Sequence, residues 1–247
     1  MKVYAIIPAR YASTRFPGKP LTLISGKPMI QRVYERALKV PDVDRVLTAT
    51  DDARILAAVE AFGGEAVMTR PDHTSGTDRL AEVVETLNAD SMDIVVNIQG
   101  DQPAFEPNII SSLIQPLKVD PNLTMTTPAV GLDPSEAEDP NLVKVVFDHE
   151  FKALYFSRAP IPWPRDRGRP EYFRHIGIYG YRVDFLRRFV ALPPGRLEKI
   201  EQLEQLRALE NGYAIKIILT DSISPDVDVP DDVARVEAYL AREVEKN

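Results

Sequence analysis

Two observations predict an α/β fold built on a mostly parallel central sheet. Short apolar runs of strand length, at residues 3–7, 45–49, 65–68 and 93–99, are bounded by polar or turn-forming residues. Stretches with helical periodicity alternate with them, and strand–helix–strand repetition requires right-handed crossovers that lay the strands side by side in parallel.

The run at 3–7 reads as the first buried strand. Residues 29–39 form the first helix, with Ile30, Val33, Tyr34 and Leu38 on its apolar stripe and Gly26-Lys27-Pro28 supplying the turn before it. The second strand, 45–49, ends in Thr50-Asp51-Asp52. A helix carrying Ile55, Leu56, Val59 and Phe62 follows and stops at Gly63-Gly64. Ser75, Gly76 and Thr77 open the next helix, which reaches residue 87; N-capping is the ordinary role of such residues, and an anion or base carbonyl is the alternative. Residues 93–99 are the clearest buried strand, running into Gln99-Gly100-Asp101-Gln102-Pro103.

A helix at 108–117 and a strand at 124–130 continue the pattern, which then changes. Residues 143–148 and 153–158 read as a β-hairpin. Residues 159–170 hold too many prolines for a regular element and read as an extended arm with Ile161 and Trp163 as apolar anchors, suited to a subunit interface. Residues 174–181 alternate as one strand, placing His175, Gly177, Tyr179 and Tyr181 on one face. Residues 197–211 form a helix with Ile200, Leu203, Leu206 and Leu209 inward and Gly212 as its stop. A late strand at 215–219 and a final helix at 233–243 close the chain, the latter opened by acidic residues that complement its dipole. The expected organisation is a single domain, 1–247, with a nucleotide-binding core (1–130 and 214–247) and a β-rich subregion (131–213).

The loop after the first strand carries Arg10, Arg15 and Lys19 among Ala9, Ala12, Ser13 and Gly18. Loops at strand carboxyl ends are where open α/β sheets bind ligands. Three cations there, in a chain with net charge −7, suit a polyanion such as a nucleoside triphosphate, against the plainer reading of a solvated loop. Neither the P-loop nor the dinucleotide fingerprint is met. Asp101, at a strand tip, suits a divalent ion or an Asx-turn.

The 247 residues are enough for a full core, and 44% hydrophobic with 27% charged residues is the balance of a globular domain. The acidic balance without a broad basic tract argues against nucleic acid and anionic membranes as partners. Without cysteine there are no disulfides, thiol nucleophiles or cysteine zinc sites. The absence of a long apolar window and of a signal-like N-terminus leads to the expectation of a cytoplasmic enzyme.

The run from Pro8-Ala9-Arg10 to Arg15-Phe16-Pro17-Gly18-Lys19-Pro20-Leu21 resembles the signature loop of sugar nucleotidyltransferases. With Tyr11-Ala12-Ser13-Thr14 it is similar to that of the 3-deoxy-manno-octulosonate (Kdo) cytidylyltransferases. Further blocks carry the likeness: Gln99-Gly100-Asp101-Gln102-Pro103, Tyr155-Phe156-Ser157-Arg158, His175-Ile176-Gly177-Ile178-Tyr179, Leu203-Glu204-Gln205-Leu206-Arg207, and Val227-Asp228, where Val229 replaces the usual threonine.

The resemblance implies a Rossmann-like nucleotidyltransferase fold with a smaller sugar-binding and dimerisation subregion. It implies CTP and Kdo as substrates, CMP-Kdo and pyrophosphate as products for lipopolysaccharide synthesis, Mg²⁺ as cofactor and a homodimer. Catalytic roles then fall on Arg10, Lys19, Asp101 and Asp228, and metal binding on Asp101 and Asp228. Nucleotide contacts fall on Ala9, Arg10, Ser13, Arg15, Lys19, Arg70, Ser75, Gly76 and Gln99, with His73 weaker. Sugar contacts fall on Gln99, Arg158, His175, Tyr179, Glu204 and Gln205. The alternatives are an 8-amino-Kdo or sialic-acid-like acceptor, or a non-catalytic nucleotide-binding module.

Overall fold

Residues 3–9 are covered on both sides, as a central parallel strand must be. They form β1 (Val3–Ala9): Val3, Ala5, Ile7 and Ala9 join one apolar cluster, Tyr4 and Ile6 the other. The computed structural model describes residues 1–12, 16–166, 170–222 and 224–246.

After β1 come a small hairpin, β2 (Leu23–Ile24) and β3 (Lys27–Pro28), then α1 (Met29–Ala37), β4 (Arg45–Thr50) and α2 (Ala53–Ala61). β5 (Ala66–Met68), α3 (Gly76–Thr86), β6 (Ile94–Asn97), α4 (Pro107–Val119) and β7 (Met125–Leu132) follow. The second half adds β8 (Lys144–Phe147), β9 (Ala153–Ser157), β10 (Tyr172–His175), β11 (Tyr179–Arg182) and α5 (Val183–Ala191). It ends with α6 (Arg196–Glu201), α7 (Leu206–Glu210), β12 (Ile215–Leu219) and α8 (Asp232–Lys246).

Ten strands make one sheet in the order β5-β4-β1-β6-β11-β7-β10-β8-β9, with β12 also paired to β7. β9, β10 and β11 run against the other seven, so the sheet is mostly parallel and its antiparallel ladders lie in the half that holds β7 to β11. α1, α2 and α4 cover one face, and α3 and α5 the other, giving three layers. The ladder between β1 and β6 ends at Ile6 and Asn97, with one further bond from Ile98 N–H to the Ile6 carbonyl. Beyond it, residues 99–102 leave the sheet as a loop.

The predicted single strand at 174–181 is two strands. β10 pairs with β7 and β8, whereas β11 lies between β6 and β7, and the register along β7 changes between them. The step at Ile176–Ile178 is held by Thr127, whose hydroxyl lies 2.8 Å from the Ile178 carbonyl and 2.9 Å from His175 Nε2. This bulge carries the chain from the 131–213 subregion into the central sheet, so one sheet underlies both.

The predicted helix at 197–211 is likewise broken, into α6 and α7. Gln202 between them is left-handed at φ 54. Leu203 and Leu206 are buried as expected, but Ile200 is 69% exposed because α6 is turned away from the core. Leu38, assigned to the buried stripe of the first helix, lies past the end of α1 and is 61% exposed.

Candidate active site

β1, α3 and the loop after β6 converge on Pro8. A Cβ on Gly76 would stand 3.3 Å from Pro8 Cγ, and one on Gly100 would stand 3.0 Å from the Pro8 carbonyl oxygen. Glycine at both positions therefore lets three backbones approach and leaves a cleft of about 260 Å³ at the carboxyl end of the sheet. Ala9, Arg10, Lys19, Ser75, Gly76, Gln99, Asp101 and Asp228 all line it. Ser75 is also the N-cap of α3: its hydroxyl accepts from Asp78 N–H and Asp78 accepts from Ser75 N–H, each at 3.1 Å. The capping role and a position on the cleft thus coexist.

Lys19 sits on a 3₁₀ turn, Lys19–Leu21, that follows the basic loop. Its Nζ lies 2.7 Å from Asp101 Oδ2, 3.8 Å from Asp228 Oδ1 and 2.8 Å from the Val227 carbonyl. Two carboxylates from loops far apart in the chain are thereby gathered around one ammonium. The Asp228 and Val229 N–H groups both donate to Asp232 at the start of α8, at 2.8 and 3.0 Å, which fixes the backbone that carries Asp228. Asp226 is a third carboxylate nearby. Burial, then Asp101 beside it, pushes its pKa up to about 6.

A second cavity, about 490 Å³, opens beside the first. Gln99 lines both. Arg158, His175, Tyr179 and Gln205 line the second, together with Gln102, Arg174 and Asp226. Gln205 is buried, and among the described residues its Nε2 and the Oε1 of Gln102 have no hydrogen-bond partner. Unpaired buried amide atoms on a cavity wall are costly unless a polar ligand meets them. Burial, then the Arg174 charge, holds the His175 pKa down to about 3, so its imidazole is neutral. The Tyr179 hydroxyl is raised, chiefly by burial and then by Glu204, and stays protonated. The Arg158 guanidinium donates to the carbonyls of Glu201, Pro140 and Gln202.

The family model described as Cytidylyltransferase matches residues 4–218. The chain belongs to this family. It is 56% identical over 243 residues to a 3-deoxy-manno-octulosonate cytidylyltransferase of Desulfatibacillum aliphaticivorans, covering 97% of this chain and 99% of that protein. It is 49% identical, over 98% of its length and 99% of the relative's, to an 8-amino-3,8-dideoxy-manno-octulosonate cytidylyltransferase of a Shewanella species. A solved structure of a CMP:2-keto-3-deoxy-manno-octonic acid synthetase complexed with CTP superposes with a TM-score of 0.94 at 47% identity, covering 98% of this chain and all of the other.

Two of this cytidylyltransferase's predicted contacts lie outside the two cavities, and a third is engaged within one. Arg70 does not line the cleft: its guanidinium is 3.6 Å from Asp72 and 3.9 Å from Glu82, facing an outer groove. Glu204 does not line the second cavity; its carboxyl accepts from the Thr77 hydroxyl behind the wall, and burial raises its pKa. His175 lines that cavity, but its Nε2 is engaged with Thr127. Ser13 and Arg15 lie outside the described residues.

Sequence reading missed Arg79, a buried cleft-lining residue whose Nη2 donates to Asp51 at 2.9 Å. Its position one turn after Gly76, on the buried side of α3, was the available signal. Arg174 and Asp226 were also missed. Their contact spans 52 positions, and no local spacing announces it. His73 does line the cleft and is bonded to Glu82.

Proposed function

We propose that this cytidylyltransferase moves the cytidylyl group of CTP onto Kdo, giving CMP-Kdo and pyrophosphate. One observation carries the reading: Gln99 is a wall of both cavities, and Asp101, two residues on in the first cavity, meets Lys19, which also faces Asp228. A triphosphate in the first cavity and a sugar acid in the second therefore bring the α-phosphorus and the anomeric hydroxyl together beside the cationic centre.

In the step itself the C2 hydroxyl oxygen bonds to the α-phosphorus while the bond to the bridging oxygen of pyrophosphate breaks, and the hydroxyl proton is lost to water. Arg10 and Lys19 neutralise the triphosphate and the leaving group, and Arg15 joins them by the resemblance of its loop. Ala9, Ser75 and Gly76 approach the nucleotide with their backbone. Gln99 bridges nucleotide and sugar, while Tyr179, Gln205, His175 and Arg158 surround the acceptor. The orphan amide of Gln205 and the protonated Tyr179 suit a polyhydroxylated ligand.

Mg²⁺ is the proposed cofactor. Asp101 and Asp228 are hard oxygen donors already converging on one positive charge, and Mg²⁺ needs few carboxylates when phosphates and water complete its shell. When bound, the ion supplies charge stabilisation at the α-phosphoryl group and favours ionisation of the attacking hydroxyl.

A homodimer formed through the arm is part of the same reading, supported by Trp163, 77% exposed, and Leu154, 61% exposed on the neighbouring β9. A cytoplasmic place in lipopolysaccharide synthesis completes it. Among the described residues no helix is long and apolar enough to cross a membrane.

The test is pyrophosphate release from CTP and Mg²⁺ with Kdo, 8-amino-Kdo or sialic acid as acceptor. Kdo is expected to give the highest kcat/KM. Preference for the amino sugar moves the assignment to the activity for which the Shewanella relatives are named, and release with none of the three overturns it.

A further inference from the structure

Arg10 and Lys19 line the first cavity from the two arms of one loop, so the chain between them has to turn back on itself. A main-chain bond closes that loop: the Gly18 N–H donates to the Tyr11 carbonyl at 3.0 Å. Tyr11 directly follows Arg10 and Gly18 directly precedes Lys19, so the closing pair sets the spacing of the two cations. Gly18 is left-handed at φ 73, and a Cβ there would stand 3.1 Å from Tyr11 Cζ. The phenol ring therefore lies against bare backbone, and glycine meets both demands at once.

The ring is also held from outside the loop, by α2. The Arg54 guanidinium carbon lies 3.3 Å from the centroid of the Tyr11 ring, the separation of a cation stacked on an aromatic face. Asp52, the N-cap of α2, fixes that guanidinium: Nε donates to Oδ1 at 2.9 Å and Nη2 to Oδ2 at 2.7 Å. Two-pronged pairing sets the plane of the group as well as its position. With the Arg54 side chain 59% exposed, the ion pair contributes little to folding. Its geometric effect is larger, because it places a rigid flat group on the residue at the root of the cationic loop.

We propose that Arg54 is a positioning residue for that loop. Fixed by Asp52, it clamps the Tyr11 ring, and through the Tyr11–Gly18 closure it keeps Arg10 and Lys19 at the spacing a triphosphate needs. Arg54 lines neither cavity, so it acts through the loop and not by contact with a substrate. This rests on the assignment of the first cavity to the nucleotide.

The experiment measures steady-state kinetics with CTP, Mg²⁺ and Kdo, and inhibition by CMP. The proteins are wild type, Arg54→Ala, Tyr11→Phe, Tyr11→Leu and the double variant Arg54→Ala with Tyr11→Leu. Arg54→Ala is expected to raise the CTP KM by about threefold to tenfold, the scale of one lost cation–π contact. The Kdo KM and the thermal midpoint should stay near wild type. Inhibition by CMP should hold within about twofold, since CMP lacks the leaving-group phosphates that the loop's cations meet. Tyr11→Phe keeps the aromatic face and should match wild type. Tyr11→Leu should raise the CTP KM at least as much as Arg54→Ala, and combining the two should add nothing further, as for groups that act as one unit.

A wild-type CTP KM in Arg54→Ala overturns the proposal. So does a further rise in the double variant, which would make Arg54 a distant charge and not a clamp, and so does an equal loss of CTP and CMP binding. Where Tyr11→Leu does not fold, Asp52→Asn keeps a capping side chain and loosens the guanidinium; a wild-type CTP KM there also overturns the clamp. Lys19→Met separates the two levels of inference. If it raises the CTP KM while Arg54→Ala does not, the clamp alone is misassigned. If neither changes it, the first cavity is not the nucleotide's.

Discussion

Lys19 Nζ and Asp101 Oδ2 lie 2.7 Å apart across 82 positions of sequence, joining the loop after the first strand to the tip of β6. The contact holds a carboxylate in the first cavity, two residues past Gln99, which lines both cavities. Asp101→Asn keeps the shape and a hydrogen-bond acceptor but removes the charge that a divalent ion requires. Turnover should fall roughly a thousandfold, the scale of several kcal/mol of lost transition-state stabilisation. Circular dichroism and the thermal midpoint should stay near wild type, because the pair is partly exposed and Asp228 still faces Lys19. Near-normal pyrophosphate release with Mg²⁺ would remove the metal assignment.

Gly100→Ala tests the close approach to Pro8. The added methyl meets a backbone carbonyl at 3.0 Å, and neither partner is the flexible end of a side chain. The loop has to shift, carrying Asp101 with it. Overpacking of this kind costs about 1–3 kcal/mol, and a displacement near 1 Å at a reacting centre lowers kcat roughly a hundredfold. Denaturant titration and steady-state kinetics read the two effects separately.

Thr127→Val removes the hydroxyl at the step between β10 and β11 while preserving volume. Ile178 O and His175 Nε2 each lose a buried partner. An unfolding midpoint shift in urea corresponding to about 1–3 kcal/mol, with the slope unchanged, is the expected result. A wild-type midpoint would mean that the bulge is held by its strand pairings instead.

His175 sets a pH dependence. Its pKa is near 6.5 in an unfolded chain and about 3 in the folded one, because burial, then the Arg174 charge, disfavours the imidazolium. The depressed value means that the unfolded state binds the extra proton first. The stability from a neutral His175 is therefore present above pH 6.5 and is lost as pH falls toward 3, by about 1.4 kcal/mol per pH unit. His175→Gln should flatten that part of the stability profile. An identical acid limb in wild type and variant would show that other groups dominate it.

The parallel half of the fold was legible because its central strands β1 and β6 are buried on both faces and so read as apolar runs. Asp101 was singled out by its place at the tip of such a strand and Asp228, two residues before Pro230, by the resemblance; the structure brings both to Lys19. What escaped was set by contacts distant in the chain. The alternation at 174–181 continues through a step that Thr127 and the Pro128 carbonyl, on another strand, help to hold. The heptad-like spacing at 197–211 continues through Gln202, whose left-handed backbone has no local sequence signal such as glycine or asparagine. Arg70 was assigned from its loop, and the neighbouring carboxylates Asp72 and Glu82 draw it outward.

Pro8 has a consequence beyond its place between two glycines. Ile6 accepts a bond from Ile98 on the β6 edge, and two residues later the same edge would call for a donor at position 8. Proline has no hydrogen there to give. The zipper between the two strands therefore stops one tooth short of Gln99, and the freed end swings out with Asp101 aboard. A missing atom in the first strand is what makes the mouth of the enzyme open.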